Sequence, residues 1–133
     1  MRIGDQTVSR GMRWEIDEPR QLGGSNYAPN PQEYLLSGLA GCLMVGVMVG
    51  AHERGIQVES FRIEVRSGLD LTGFLGVRED AAVAMSGIHY TMVVVADASD
   101  EVLEELRAQA LAHSPNAQTL AHGVEIEGSI KRG

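Results

Sequence analysis

The stretch NPQEYLLSGLAGCLMVGVMVGAHERG, Asn30–Gly55, decides the fold of this chain. Its first residue is a good N-cap, Pro31 suits the first helical position, and Glu33 stands where a capping box places an acid. The glycine at its end is a natural residue to terminate a helix. The pattern therefore predicts one long helix that runs from Pro31 to about His52–Arg54.

The middle of this helix is apolar on all sides. Tyr34–Ala51 spans 18 residues without a formal charge, which is the lower edge of a membrane-spanning length. Its flanks lack a one-sided excess of Lys and Arg, so a buried central helix is favoured over a membrane span. Four glycines in the helix each cost about 1 kcal/mol relative to alanine, which makes sense if a second helix or a subunit packs against the backbone. These glycines are Gly38, Gly41, Gly46 and Gly50.

Length and composition limit the classes of function. The 133 residues suit one domain over residues 1–133. A net charge of −7 argues against nucleic-acid binding. A single cysteine, Cys42, excludes an internal disulfide and a cysteine-rich zinc site, and the four histidines lack metal-ligand spacing, so no cofactor or metal is expected. Met1–Ile16 has no apolar core of signal-peptide length, so we expect a cytoplasmic protein.

Alternating and helical patterns outside the long helix predict an α+β or mixed α/β chain. The first half is expected to hold a hairpin with strands Arg2–Ser9 and Met12–Ile16 and a turn at Arg10–Gly11, then a loop from Asp17 to Asn30. After the long helix we expect a half-buried strand around Phe61–Val65, an irregular connection at Leu69–Val77 and a strand at Ile88–Val95 that is buried on both faces. A helix should follow Ser99, with an apolar stripe made of Val102, Leu103, Leu106 and Ala110. A short helix from Ser114–Pro115 towards Leu120 and a closing strand at Val124–Ile130 complete the prediction.

Cys42 is the strongest candidate for a chemically reactive residue, and two interpretations of it stay open. A lone cysteine in an apolar helix is most often a small, inert core residue. A reactive Cys42 needs a cation from elsewhere in the fold, and an arginine is the obvious supplier. On a helix with about 100° per residue, Gln32 lies about 80° and Glu33 about 180° around the axis from Cys42. Glu33 is therefore favoured as a capping acid.

Several stretches together resemble the OsmC/Ohr superfamily over nearly the whole chain. They are LGG at 22–24, PNPQEYLLSGLAGC at 29–42 with its continuation to Ile56, the strand at Val58–Val65 and SPNAQTL at 114–120. The resemblance implies an intertwined homodimer, in which mixed β-sheets wrap around buried central helices that carry the cysteine. It also implies a small apolar or hydroperoxide ligand at the dimer interface and an external thiol reductant, with no nucleic-acid or membrane partner.

Well-known members of this superfamily use two cysteines to reduce organic hydroperoxides. One thiolate attacks the peroxide and becomes a sulfenic acid, and the second resolves it to a disulfide that a dithiol then reduces. Cys42 matches the attacking cysteine, whereas Ser114 stands at the resolving position and cannot form a disulfide. The resemblance thus implies a one-cysteine branch of the superfamily.

An arginine and a glutamate hold the attacking cysteine in those members. The glutamate position is Gln32 here, and Glu33 matches a second acid found in some members. Arg20 is the best candidate for the arginine, with Arg10 and Arg13 behind it.

We therefore expect a one-cysteine thiol-dependent hydroperoxide reductase or peroxide-responsive protein that uses Cys42. The alternative is a non-catalytic dimer that binds a small apolar ligand. A purely structural cysteine in an unrelated helix-centred fold is the third interpretation.

Overall fold

The computed structural model describes residues 2–3, 6–7 and 13–133. Helices together with antiparallel strands make the chain α+β, as predicted. In chain order the elements are β1 (Arg2–Ile3), β2 (Gln6–Thr7), a 3-10 turn (Arg20–Leu22), α1 (Pro31–Glu53), β3 (Val58–Ser67), α2 (Leu71–Phe74), β4 (Ile88–Ala96), α3 (Asp100–His113) and α4 (Pro115–His122).

The chain divides into two compact units, Met1–Leu35 and Leu36–Gly133, and the boundary falls within α1. In the first unit, β1 and β2 pair antiparallel. The prediction of a strand at Met12–Ile16 is wrong for residues 13–16, which form neither strand nor helix. Met12, Ser9 and the predicted turn at Arg10–Gly11 lie outside the described residues. A single domain over residues 1–133 stays a prediction.

The predicted loop before α1 is confirmed, and hydrogen bonds to the side chain of Asp17 order it. The carboxylate of Asp17 accepts hydrogen bonds from the backbone N–H groups of Ser25 at 2.9 Å and Tyr27 at 3.0 Å. These bonds, that of Tyr27 above all, lower the pKa of Asp17, because they favour the charged carboxylate.

The start and end of α1 follow the sequence prediction. Asn30 Oδ1 accepts a hydrogen bond from the Glu33 N–H at 2.8 Å, and Glu33 Oε2 accepts one from the Asn30 N–H at 2.9 Å. This reciprocal pair is a capping box, and it satisfies two backbone donors at the helix start. The helix ends at Glu53, and Gly55 follows with a φ of +69°, which a glycine adopts without strain.

In the second unit, β3 and β4 form an antiparallel pair with Ile63 opposite Met92 and Val65 opposite Tyr90. Inward side chains of this pair pack on two small clusters of buried residues. One cluster joins Val47 and Ala51 of α1 to Leu106 and Ala110 of α3, and the other joins Leu39 and Leu43 of α1 to Ala117 of α4. The predicted apolar stripe of α3 and the predicted alternation of β3 are confirmed.

Two of the four glycines in α1 allow close packing within the chain itself. A Cβ at Gly46 would lie 2.9 Å from the Ala110 Cβ, and a Cβ at Gly50 would lie 2.8 Å from a Leu106 methyl. For Gly46 and Gly50, the element that packs against the helix backbone is therefore α3. A Cβ at Gly41 would meet no atom of the described chain within 4 Å.

Only one face of α1 is covered by the rest of the second unit. Val45, Met48 and Val49 on the other face are 62%, 41% and 52% exposed. We call these three residues the open face of α1. The prediction of a buried central helix thus holds for one side of the helix within a single chain. By length and composition the helix could also cross a membrane, but core helices of soluble proteins meet the same criterion.

Three further predictions need correction. Val93 and Val95 are 46% and 48% exposed, so β4 is covered on one face only. No strand forms at Val124–Ile130, where the apolar side chains are exposed. An alternating pattern needs a neighbouring strand to supply hydrogen bonds, and no described strand of this chain lies beside the segment. The connection at Leu69–Val77 holds one short helix, α2, whose N-cap Asp70 accepts a hydrogen bond from the Thr72 N–H.

Candidate functional site

Cys42 and Ser114, which lie 72 residues apart in sequence, meet in the structure. The Ser114 hydroxyl donates a hydrogen bond to Cys42 Sγ over 3.1 Å. Its oxygen accepts one from the Ala117 N–H at 3.1 Å, as the N-cap of α4. Since the oxygen is occupied as an acceptor, the hydroxyl hydrogen is available to the sulfur. Ser114 is 3% exposed, so this geometry is fixed by its surroundings.

The sulfur lies in a groove between α1 and the end of α3, which we call the Cys42 groove. Its volume is about 270 Å³, and Cys42 is only partly buried, so a small molecule can reach the thiol. Apolar groups form one part of the wall, namely Val45, Gly46, Val49, Ala110 and Pro115. Glu53, Gln109 and His113 add polar groups.

This arrangement suits a thiol that reacts with a small molecule and does not form an internal disulfide. A hydroxyl that donates to sulfur stabilises negative charge on it, because a charged acceptor strengthens a hydrogen bond. The same hydroxyl cannot resolve an oxidised sulfur. Within residues 36–133, no arginine lines the Cys42 groove.

The other predicted site residues belong to the first unit, residues 1–35. Glu33 forms the capping box with Asn30, as the helical-wheel argument favoured. Gln32 lies in the first turn of α1, and Arg20 begins the 3-10 turn. Arg13 precedes that turn, whereas Arg10 lies outside the described residues. Roles for Arg20 and Gln32 at the sulfur stay predictions.

Sequence reasoning did not identify His113, Gln109 and Glu53 as neighbours of Cys42. His113 had a weak signal, because it directly precedes Ser114. Gln109 and Glu53 carry no motif, and only the packing of α3 on α1 brings them to the groove.

A second and larger cavity in this unit was also not predicted. It holds about 520 Å³ and opens between α1, the start of β4 and α4; we call it the apolar cleft. Its principal apolar side chains are Leu39, Leu43, Met85, Ile88, Leu111 and Leu120. Tyr90 also lines it, and its hydroxyl oxygen accepts a hydrogen bond from Arg107 Nη1 at 2.6 Å. Hydrogen bonds to Glu104 and then Tyr90 raise the pKa of Arg107 well above its usual range.

Comparison with known proteins identifies the family of the chain. A family model described as OsmC-like protein matches residues 23–129. No curated protein matches the sequence.

Solved structures share the fold at low sequence identity. An OsmC-like protein from Mycoplasma pneumoniae aligns with a TM-score of 0.72 and 18% identity, over 87% of this chain and 77% of the other. An organic hydroperoxide resistance protein OsmC from Legionella pneumophila gives 0.66 and 19%, over 86% and 78%. An OsmC-like hydroperoxide resistance protein from Jannaschia sp. CCS1 gives 0.60 and 18%, over 82% and 71%. With most of its length matched by the family model, the chain belongs to the OsmC-like protein family.

Proposed function

We propose that the protein reduces organic hydroperoxides with Cys42 as its one redox cysteine, either as a thiol-dependent peroxidase or as a peroxide-responsive protein. The observation that carries the proposal is the half-buried sulfur in an open groove, with the Ser114 hydroxyl 3.1 Å from it. The family assignment supports it, and two similar structures carry hydroperoxide resistance in their names.

The proposed reaction has two stages. The Cys42 thiolate attacks one peroxide oxygen, the O–O bond breaks, and the products are a sulfenic acid on Cys42 and the alcohol, which takes up a proton. An external thiol then attacks the sulfenic sulfur and releases water, which leaves a mixed disulfide. A second thiol breaks this disulfide, restores Cys42 and leaves as part of an external disulfide. Ser114 takes no covalent part.

A basic group at the sulfur would complete the site. We assign this role to Arg20, with Gln32 as a hydrogen-bonding group that orients it, on the basis of the superfamily resemblance. An arginine stabilises the thiolate through charge and through planar N–H donors. A neutral amide at residue 32 orients it less strongly than a carboxylate would.

We further propose that the protein works as a homodimer in which a second copy packs on the open face of α1, so that the Cys42 groove, which Val45 and Val49 also line, lies at the edge of the dimer interface and stays reachable by a small molecule. Contiguous exposed apolar surface of this kind marks an interface more often than free surface. Contact with a second copy would also explain why the middle of α1 carries no charge, and the helix would not need to span a membrane.

A second candidate function is ligand binding without chemistry in the same dimer. The residues around the Cys42 sulfur favour this function, because those within residues 36–133 include neither an arginine nor a second thiol, and a serine stands opposite the sulfur. A protein of this kind would bind a small apolar ligand at the dimer interface and leave peroxide unchanged.

Consumption of cumene hydroperoxide by the purified protein with dithiothreitol as reductant separates the two functions. We expect repeated turnovers by the wild type and the uncatalysed rate with Cys42→Ser, which keeps the size of the side chain. Circular dichroism of both proteins checks that the fold is the same. A wild-type rate equal to that of the variant would reject the peroxidase and leave ligand binding.

The dimer has its own test, which does not depend on peroxide. Val45→Arg places a charge on the open face, and Val83→Arg places the same charge on an exposed loop residue. Light scattering after gel filtration should give a dimer mass for wild type and Val83→Arg, and a monomer mass for Val45→Arg. A monomeric wild type would contradict the proposal.

A further inference from the structure

We infer that the apolar cleft is a binding site for a neutral molecule with an aliphatic body and one hydrogen-bond acceptor, such as a medium-chain ketone or ester. This site is separate from the Cys42 groove, and the inference goes beyond the proposed reaction because binding there needs no thiol chemistry.

The size and lining of the cleft fit a small molecule. Its volume of about 520 Å³ falls within the range of ligand pockets. Leu43 and Leu39, which line the cleft, are 0% and 5% exposed, so this wall is apolar and belongs to the packed core. An aliphatic chain of several carbons that enters the cleft therefore leaves water for an apolar surface, which is favourable in proportion to the area buried.

Tyr90 is the one residue lining this cleft whose side chain carries a polar group. Its phenolic oxygen accepts a hydrogen bond from Arg107, so its own hydrogen remains to be donated. Among residues 13–133, no hydrogen bond from this hydroxyl to an acceptor forms. A ligand oxygen beside Tyr90 would take that hydrogen, and the guanidinium behind the phenol strengthens the donor.

The charges nearby determine which acceptor fits. Glu104 binds the Arg107 guanidinium through both carboxylate oxygens, so the cation behind Tyr90 is already neutralised. The chain also carries a net charge of −7. A carboxylate ligand would therefore find no free cation at Tyr90 and would meet repulsion, whereas a carbonyl oxygen needs only the hydroxyl donor.

Displacement of a neutral dye tests the inference on the full-length protein, without peroxide or thiol. Prodan, a naphthyl ketone whose emission moves to the blue in apolar sites, is bound first and then displaced with 2-nonanone or with nonane. We expect 2-nonanone to displace the dye about fivefold more strongly than nonane, since one hydrogen bond is worth about 1 kcal/mol.

Two variants and one control assign the binding to the cleft. Tyr90→Phe should abolish the advantage of 2-nonanone over nonane and keep the binding of nonane. Ala121→Trp places a large side chain on an exposed lining residue and should weaken both ligands at least tenfold. Tyr27→Phe, at an exposed tyrosine that does not line the cleft, should change neither.

Several outcomes would overturn the inference. The first is equal displacement by ketone and alkane in the wild type, and the second is unchanged binding in Ala121→Trp. The third is the absence of dye binding by folded protein, which includes the case of a second copy filling the cleft. None of these outcomes bears on peroxide consumption, so the inference and the proposed function can fail separately.

Discussion

The two faces of α1 are both apolar but have opposite surroundings. On one face, Leu39, Leu43 and Val47 are buried against the sheet and the other helices. On the open face, Val45 and Val49 are exposed and line the Cys42 groove. The covered face holds the fold together, and the open face carries the candidate chemistry. One uniformly apolar helix therefore serves both stability and function, and only its packing distinguishes the two faces.

The largest expected effect lies in the Cys42 groove and concerns Ser114→Cys. Residue 114 has its side-chain atom 3.1 Å from Cys42 Sγ, so a small shift brings two sulfurs to the bonding distance of about 2 Å. We expect one equivalent of hydroperoxide to convert this variant almost completely to an internal disulfide. Non-reducing peptide mass spectrometry identifies the cross-linked pair, and an oxidised but uncross-linked Cys42 would contradict the alignment of these two positions.

The next effect belongs to the covered face. Leu43→Ala removes a fully buried side chain and leaves a cavity, so we expect a loss of about 2–5 kcal/mol in the free energy of unfolding. Urea denaturation measures it. Val83→Ala, at an exposed loop residue, is the control and should change stability by less than about 0.5 kcal/mol. Similar losses in both variants would mean that the covered face does not dominate stability.

Close packing of α3 on α1 predicts a smaller change in the free energy of unfolding, and its sign differs between two glycines of α1. Gly46→Ala forces a Cβ against the backbone and side chain of Ala110 and should cost about 1–3 kcal/mol. Gly38→Ala meets only Asn116 Nδ2 at 3.6 Å, an ordinary contact, and should gain up to about 1 kcal/mol from helix propensity. Chemical denaturation of the two variants side by side checks the contrast. Equal effects would show that α3 does not pack closely on α1 at Gly46.

The smallest effect concerns the start of the helix, which both faces share. Asn30→Ala removes the side-chain acceptor of the 2.8 Å bond from the Glu33 N–H and should cost about 1 kcal/mol. Asn30→Asp keeps an acceptor and should stay close to wild type in thermal unfolding. An Asn30→Ala protein as stable as Asn30→Asp would contradict the capping box.

Local signals in the sequence predict α1, α3 and α4 and the two longer strands, β3 and β4. Asn30 and Glu33 fixed the start of α1, and Ser99 and Ser114 marked α3 and α4, because a cap acts within one turn of its own helix. The glycine-broken connection at Leu69–Val77 predicts no regular element, because α2 is only four residues long and its cap at Asp70 is a weak signal.

Strands were harder to predict because they need a partner that alternation does not specify. Val124–Ile130 alternates well and yet pairs with no described strand, and the outer face of β4 has nothing of this chain over it. The Cys42–Ser114 contact was anticipated through the superfamily resemblance. The apolar cleft was not, because its walls come from segments as distant as Leu39 and Leu120.

The most direct test of the central claim, a peroxide-reactive Cys42 on the open side of α1, is chemical trapping. Native protein is treated with one equivalent of cumene hydroperoxide in the presence of dimedone, and the peptide that contains residue 42 is examined by mass spectrometry. We predict the dimedone adduct of a sulfenic acid on most of the Cys42 thiols. An unmodified thiol in folded protein, alkylated by iodoacetamide only after denaturation, would contradict the claim.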